Sequence, residues 1–468
     1  MAAYLLFEVM VMLLSRLNDV VWSPWLLGLF LAAGLYYSLR TGFFQIFRIP
    51  LWLRTTFGAM LRRRGRGNGR GISQFQALAT ALASTIGTGS IAGVATAIWF
   101  GGPGAVFWMW VSALLGMMTG CAEKLLSVRY RRAGPAGWLG GPMYYILDGL
   151  KSPLLAGWFA LACLPATLTG GDMVQSSSIA AALQATFGWD RLAVGAAVAV
   201  LTGLVMVGGI GRIARVSSGL VPAMALLYLG GGAAVLAARA DQIPEAMALI
   251  FCSALRPEAA VGGGMGYTLA AALRYGVARG VFTNEAGLGT SAMAHAAAEV
   301  DCPARQGMWG IVEVCVSTLL VCTATALVIL VSGVYGPADA LVRGALGAVP
   351  PDRLGAPLTA AAFSSVLGPW GGAVVSLSLL LFAFSSILGW SWYGEQSILY
   401  LTGSRRLVPA YRLVFLSCVV LGSLWEGEAV WELVDLCNAL MAIPNLTALL
   451  LLSPQVLREL RDWERTGG

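Results

Sequence analysis

Charged residues are scarce in this sequence. Only 11% of its 468 residues are Asp, Glu, Lys or Arg, whereas 58% are hydrophobic, and the mean hydropathy is +0.76. Soluble domains carry roughly 25% charged residues, so the composition excludes an ordinary soluble protein. Uncharged apolar runs of about 20 residues recur along the chain, and each can cross the roughly 30 Å hydrocarbon core of a bilayer. We therefore predict one all-α polytopic membrane domain rather than several soluble domains.

The residues that carry most enzyme chemistry are also few. His295 is the sole histidine, and no Ser-His-Asp set or metal-ligand cluster surrounds it in the sequence, which is more typical of a packed histidine. The eight cysteines are scattered without a Cys-x-x-Cys pair, which predicts neither a metal site nor a disulfide framework. A Walker-type phosphate loop is also missing, which argues against ATP as an energy source. We predict no enzymatic activity and no cofactor.

The positive charge of the chain lies between its apolar runs. The formal net charge is +7, and residues 40–70 hold the strongest cluster of arginines. Arginines beside membrane spans favour the cytoplasmic side and anionic headgroups, so we expect a lipid bilayer and not nucleic acid as the partner. This rule puts the amino terminus outside and, after eleven crossings, the carboxyl terminus in the cytoplasm of a cell inner-membrane protein. Residues 1–14 lack the basic start and clear cleavage site of a signal peptide.

The predicted crossings divide the chain into five parts. Two blocks of five crossings each follow one extra amino-terminal crossing. The parts are 1–70 (interfacial segment, extra transmembrane helix and basic cytoplasmic loop), 71–240 (first five-helix repeat), 241–261 (external helix or loop), 262–455 (second five-helix repeat) and 456–468 (cytoplasmic tail).

One apolar stretch contains an unusual run of small polar residues. No charge occurs between Arg70 and Glu123, and residues 82–93 within this stretch are rich in Gly, Ser and Thr. Gly-Thr-Gly weakens a helix, and non-helical backbone survives inside a bilayer only where protein or a wet cavity covers it. We interpret Ile86 to Ser90 as an unwound hinge whose free peptide groups can bind a ligand. The alternative is that small residues merely allow close helix packing.

A second interruption is predicted at residues 282–289, five crossings after the hinge. Because five is odd, the second block enters the membrane in the opposite orientation, as in inverted-repeat transporters whose substrate site lies at the midplane. Amino-terminal ends of half-helices suit a carboxylate, and unwound carbonyls suit a cation such as sodium. Two coincidental packing sites remain the alternative, and a channel or receptor-like protein could use the same cavity.

Several ordered motifs resemble the alanine or glycine:cation symporter family. They span residues 87–98, 102–113, 141–146, 279–287, 322–330, 382–390 and 441–445. The resemblance implies the 5+5 inverted-repeat fold first seen in a leucine transporter, with one extra amino-terminal helix and eleven transmembrane helices. It also implies a secondary active symporter that imports a small neutral amino acid, alanine or glycine, with sodium as the coupling ion. Alternating access around a fixed site would drive the import.

The same resemblance implies individual roles. Amides near Gly87 would bind the substrate carboxylate, carbonyls near Phe282 would bind the ammonium group, and Trp390 would help to wall the pocket. The implied substrate residues are Thr85, Gly87, Thr88, Gly89, Gln175, Phe282, Thr283, Asn284 and Trp390. The implied sodium ligands are the carbonyls of Ala83 and Ile86 and the hydroxyls of Ser385 and Ser386, with Thr85 and Thr283 as weaker candidates for a second cation or for substrate.

The chain departs from the family pattern where acids are concerned. Asp172 replaces a usual Asn, Ser90 another Asn, and Ser317 a usual Asp, with Glu313 one turn before it. Because a carboxylate at midspan costs several kcal/mol unless it is paired, Asp172 is a coupling candidate that could admit protons or a more cationic substrate. Alternatively, an arginine such as Arg274 or Arg279 balances its charge.

Glu285, which the family shares, is a second coupling candidate. It would either brace the unwound turn by accepting backbone amides or bind the cation directly.

Overall fold

The structure is a computed structural model that describes residues 2–61, 71–134, 137–255, 269–335, 355–425 and 428–466. Three sequence-based expectations fall outside these ranges. They are the basic cluster at residues 62–70, the start of the seventh crossing near residue 262 and most of the proline-rich segment 335–368.

The described residues are almost entirely helical. We number the helices in chain order and treat a π-helical turn as part of the helix that contains it. The first group is α1 Ala2–Val21, α2 Pro24–Arg40, α3 Phe44–Phe47, α4 Ile49–Leu61, α5 Gln74–Thr85, α6 Gly89–Gly101, α7 Gly104–Arg129, α8 Pro142–Leu150, α9 Pro153–Phe187 and α10 Arg191–Met206. The second group is α11 Gly209–Ala238, α12 Ile243–Leu255, α13 Leu269–Asn284, α14 Ala292–Ala296, α15 Pro303–Val331, α16 Ala356–Leu367, α17 Pro369–Thr402, α18 Val408–Leu424, α19 Glu428–Leu451 and α20 Ser453–Arg465.

Two short strands interrupt this pattern after α7. Strand β1, Arg132–Gly134, pairs antiparallel with β2, Gly137–Leu139. This hairpin has no counterpart among the elements expected from the sequence.

The structure is that of a multi-pass membrane protein. Within the described ranges, seven helices are long and apolar enough to span a bilayer, or nine if the bent pairs α1–α2 and α5–α6 each count as one span. The predicted number of eleven stays a prediction. The two predicted crossings outside this number contain α10, which has 16 residues and is shorter than a typical span, and α13, which is described only from Leu269 onward.

Polar and apolar residues are distributed as a bilayer requires. Large apolar side chains cover the outer surface, and Leu204 on α10 and Leu226 on α11 are 61% and 76% exposed. The interior, in contrast, buries polar side chains, including fully buried Glu123 and Lys124 on α7. Such exposure of large apolar side chains would be a liability in water, whereas lipid solvates them.

Two helices are broken close to the predicted positions. The first break, residues 86–88, separates α5 from α6, which are bent by 54°. It is shorter than expected, because Gly89 and Ser90 already belong to the π-helical turn that opens α6. The second break, residues 285–291, separates α13 from α14, so the predicted residues 282–284 form the last turn of α13 rather than part of the break.

Candidate substrate and ion site

The first break is shaped by close contacts at two glycines. A Cβ atom on Gly87 would lie 2.5 Å from the Ser386 hydroxyl and 3.1 Å from Oε1 of Gln175. A Cβ atom on Gly89 would lie 2.9 Å from the Phe282 ring. Only glycine lets the backbone come so near its neighbours. The glycines therefore let the first break meet α17, α9 and α13 at one point.

At the second break, the amides that would continue α13 bind acceptors outside the helical pattern. The amide of Ala286 donates to the side-chain oxygen of Asn284 (3.0 Å), and the amide of Gly287 donates to the carboxylate of Glu123 (2.8 Å), so neither continues the helix. Glu285 has a φ of 54°, an uncommon value for a residue with a side chain, and Gly287 and Gly289 also have positive φ. The carbonyls in the last turn of α13 are left for other partners.

A small pocket lies between the two breaks. Its cavity volume is about 20 Å³, roughly the room that one water molecule needs. The lining residues are Ser84, Thr85, Gly87, Gly89, Gly170, Gln175, Phe282, Glu285, Leu288, Trp390, Val434 and Asn438.

Six of the nine substrate residues expected from the sequence line this pocket: Thr85, Gly87, Gly89, Gln175, Phe282 and Trp390. The other three lie beside it. Thr88 contributes its amide to Gln175 (3.3 Å), Thr283 donates its hydroxyl to the carbonyl of Arg279 (2.6 Å), and Asn284 caps the end of α13.

Gln175 ties the first break to a second irregular helix. Its Oε1 accepts the Thr88 amide at 3.3 Å, and its Nε2 donates to the carbonyl of Gly170 at 3.1 Å. Gly170 belongs to the π-helical turn Thr169–Met173 inside α9. In the same turn, a Cβ on Gly171 would lie 2.6 Å from Cβ of Trp390, so the missing side chain makes room for the tryptophan wall.

Carbonyls and hydroxyls converge where α5 meets α17. Ser385 and Ser386 both donate to the carbonyl of Ala83, at 3.1 and 3.0 Å, and Ser386 also lies 3.1 Å from the carbonyl of Ser84. Both serines are fully buried. Neutral oxygens of this kind suit a hard monovalent cation. The structure therefore brings together Ala83, Ser385 and Ser386 from the expected sodium set.

Among the described residues, the hydrogen bonds of Ile86 and Thr283 go elsewhere, and their part in a sodium site stays a prediction. The amide of Ile86, which belongs to the first break, donates to the carbonyl of Leu82 at 2.8 Å. The hydroxyl of Thr283 donates within α13. Thr283 contacts the first break elsewhere, at Gly89.

Asp172 is buried and has no cationic partner among the described residues. Arg274 pairs with Asp19 at 2.9 Å and Arg279 lies 3.9 Å from Asp435, so the expectation that either arginine balances Asp172 is wrong. Within the described ranges no side chain donates a hydrogen bond to its carboxylate. Asp172 does not line the pocket.

Glu123, which was not among the site residues expected from the sequence, binds the backbone of the second break. Glu285 lines the pocket, and its carboxylate accepts the Thr290 hydroxyl, whereas the Gly287 amide is bound by Glu123. The expectation that Glu285 accepts backbone amides is therefore corrected. The adjacent charges Glu123 and Lys124 inside an apolar helix could have revealed this role.

Five pocket residues were also missed. They are Ser84, Gly170, Leu288, Val434 and Asn438. Val434 and Asn438 lie on α19, and nothing in their local sequence distinguishes them from other residues of a membrane helix.

A buried polar pocket between two broken helices, in a chain that crosses the membrane many times, defines the class of secondary transporters. Residues 7–467 match the sodium:alanine symporter family, and the chain belongs to that family. The resemblance inferred from the motifs is thus confirmed. The members of this family are transporters for sodium-coupled amino acid symport and not enzymes.

Curated relatives match nearly the whole chain. The sodium/alanine symporter AgcS of Methanococcus maripaludis is 41% identical over 456 residues, which cover 96% of each chain. The probable sodium/glutamine symporter GlnT of Bacillus subtilis is 36% identical, with 96% of this chain and 92% of that one covered. A putative sodium/proton-dependent alanine carrier of Bacillus subtilis, YrbD, is also 36% identical, with the same coverage.

A solved structure shares the fold at low sequence identity. A mutant of the manganese transporter of Eremococcus coleocola superposes with a TM-score of 0.50 at 17% identity. The match covers 81% of this chain and 79% of that one. At this identity the likeness concerns the fold alone.

Proposed function

We propose that this protein is a symporter that imports a small neutral amino acid, alanine or glycine, together with sodium. The observation that carries the proposal is the pocket between the two breaks, with neutral oxygens of Ala83, Ser385 and Ser386 beside it. Relatives named as sodium/alanine and sodium/glutamine symporters support amino acids as the substrate class.

The two ends of the pocket suit the two charges of an amino acid. The backbone amides of Gly87 in the first break and of Gly89 at the start of α6 offer a carboxylate the positive end of a helix dipole. The free carbonyls at the end of α13, near Phe282 and Thr283, offer the negative end to an ammonium group. Phe282 and Trp390 then bound the side-chain space, and its small size favours glycine or alanine.

A 5+5 inverted repeat explains why the breaks face each other. Spans α5–α6 and α13–α14 would open two blocks of five helices that thread the membrane in opposite directions around the pocket. Counting α10 and α13 as spans gives eleven crossings, with the amino terminus outside and the carboxyl terminus in the cytoplasm by the positive-inside rule.

Uptake into proteoliposomes tests this function. With an inward sodium gradient, labelled alanine or glycine is expected to accumulate above the external concentration, and a sodium ionophore should abolish the accumulation. Labelled glutamine serves as the larger competitor. Equilibration without accumulation would instead indicate a channel, and binding without entry would indicate a receptor.

Proton coupling through Asp172 is the second candidate function. A fully buried carboxylate without a cationic partner in the described chain is costly to keep charged, so a proton is the simplest way to neutralise it. The relative named as a putative sodium/proton-dependent carrier lends support. Uptake by Asp172→Asn should lose any dependence on an imposed pH gradient and keep its dependence on sodium. An unchanged ion dependence would reject this role.

A further inference from the structure

Three polar residues form a stripe along the end of α7. Glu123, Ser127 and Arg131 are spaced four residues apart, so they follow one face of the helix and the residues just beyond its end. We call them the α7 stripe. Each of them bonds the backbone of residues 285–300, which comprise the second break, α14 and the strand-like residues after it.

The bonds are distributed along the whole segment. Glu123 accepts the Gly287 amide at 2.8 Å, and Ser127 donates to the carbonyl of Ala292 at 2.7 Å. Arg131 holds the far end, donating to the carbonyls of Ala296 (3.2 Å), Ala298 and Val300 (2.9 Å). Helix α14 has only five residues and could not be stable alone. The α7 stripe therefore supplies partners that the segment cannot provide for itself.

The charge of Glu123 is held by a buried cluster. Lys124 lies 3.3 Å from Glu123 and 3.3 Å from Glu313, and all three side chains are fully buried. Asn445 of α19 donates to the same Glu123 oxygen and to the carbonyl of Gly287, both at 2.8 Å. Side chains of two helices thus bind both the amide and the carbonyl of Gly287 in the second break.

Arg131 is itself fixed in place. Its guanidinium lies 4.2 Å from the ring centre of Trp138 on β2. Partial burial lowers the pKa of Arg131, while the carboxylates of Asp301 and Glu299 raise it. An arginine remains charged under these conditions, so its three carbonyl bonds are charge-assisted.

The same segment is joined to the helix that carries the first break. The amide of Ile72 donates to the carbonyl of Ala297 (3.0 Å), and the amide of Glu299 donates to the carbonyl of Ile72 (2.8 Å). The Gly71 amide also donates to the Glu299 carboxylate at 3.0 Å. Because α5 starts at Gln74, this bridge joins the residues just before α5 to the residues that follow α14. It lies at the same end of the protein as Arg131.

We propose that the α7 stripe is a gate clamp: it holds residues 285–300 across one end of the pocket, and the pocket opens to that side when these backbone bonds separate. The proposal rests on the proposed function. It makes Glu123, Ser127 and Arg131 positioning residues, since none of the three lines the pocket, whereas Glu285 and Leu288 of the second break do.

Hydrogen exchange of the full-length protein tests the clamp without any substrate. In Arg131→Gln, amides of residues 285–300 should exchange about tenfold faster, the effect of losing roughly one net hydrogen bond from a charged group. In Ser127→Ala, which loses one neutral hydrogen bond, the same amides should exchange about fivefold faster. Arg132→Gln is the control for the first variant, because Arg132 pairs with Asp148 at 2.6 and 3.0 Å instead. Ser391→Ala is the control for the second, because Ser391 bonds its own helix at Leu388. Unchanged exchange in both stripe variants would overturn the proposal.

Transport measurements distinguish a clamp from a merely structural role, because only a clamp should change the KM values. The clamp is expected to favour the state that faces outward. Loosening it in Arg131→Gln should then raise the KM for external alanine and sodium about tenfold and leave Vmax unchanged. Arg131→Lys should restore part of the affinity. Equal falls in Vmax and in thermal stability, with KM unchanged, would contradict the proposal. Failure of the wild-type protein to take up amino acids would reject the proposed function, and the exchange result would still decide the clamp.

Discussion

Replacement of Gly87 by alanine probes the point where both expected binding sites meet. The added Cβ would lie 2.5 Å from the Ser386 hydroxyl, about 0.9 Å closer than ordinary contact, and 3.1 Å from the Gln175 amide. Both neighbours are buried and hydrogen-bonded, so neither can move away freely. Overpacking of this kind costs about 1–3 kcal/mol. Because every 1.4 kcal/mol corresponds to tenfold in affinity, we expect the apparent affinities for sodium and alanine to fall about fivefold to hundredfold.

The assay is sodium-driven alanine uptake in proteoliposomes, with KM determined for each solute while the other is saturating. Gly93→Ala is the matched control, because Gly93 lies in the π-helical turn directly after the first break and a Cβ there meets no atom within 4 Å. Alanine replaces glycine in a helix with a gain of about 0.4–1 kcal/mol, so the control should keep its activity. Normal KM values for both solutes in Gly87→Ala would refute the placement of Gly87 between the two sites.

Three further predictions concern the ion site, the pocket wall and the buried charges. Ser386→Ala should raise the KM for sodium more than that for alanine, whereas an equal rise in both would contradict a cation site at this hydroxyl. Phe282→Ala should widen the pocket and improve competition by glutamine over alanine in the same uptake assay; unchanged selectivity would show that the ring is not a wall. Lys124→Met should destabilise the folded protein by about 3–5 kcal/mol, because it leaves Glu123 and Glu313 without their shared cation. Thermal unfolding in detergent measures this, and Lys124→Met combined with Glu313→Gln should recover part of the loss; no destabilisation by the single variant would show that the cluster does not need its charge.

The two acids of interest differ in how the fold treats them. Asp172 lies in an irregular turn of α9 without a cationic partner in the described chain, whereas Glu123 is surrounded by an ammonium group and two amide donors. Burial is complete in both cases. The two acids therefore have different proposed roles. Asp172, which is unpaired, is suited to gain and lose a proton, whereas Glu123, which is paired, is suited to hold a peptide group in place.

Membrane insertion and the positions of the two breaks follow from the sequence alone. A chain with long uncharged runs can satisfy its backbone in lipid only as helices, and Gly-rich runs inside such helices weaken them wherever they occur. These are local effects, so residues 86–88 and 285–291 were located to within a few residues. The motifs around them were also sufficient to recognise the family, because they are contiguous in the chain.

Only the tertiary structure decided which distant groups meet. Ser385 and Ser386 bond Ala83 across about 300 residues of sequence, and Val434 and Asn438 enter the pocket from a helix with no distinguishing pattern. Glu285, which is adjacent in the chain, was expected to accept amides of the second break, whereas the packing of α7 presents Glu123 to the Gly287 amide. Composition and periodicity report on a residue's own helix and on the solvent around it; contacts between helices depend on how their faces pack together, which no local pattern encodes.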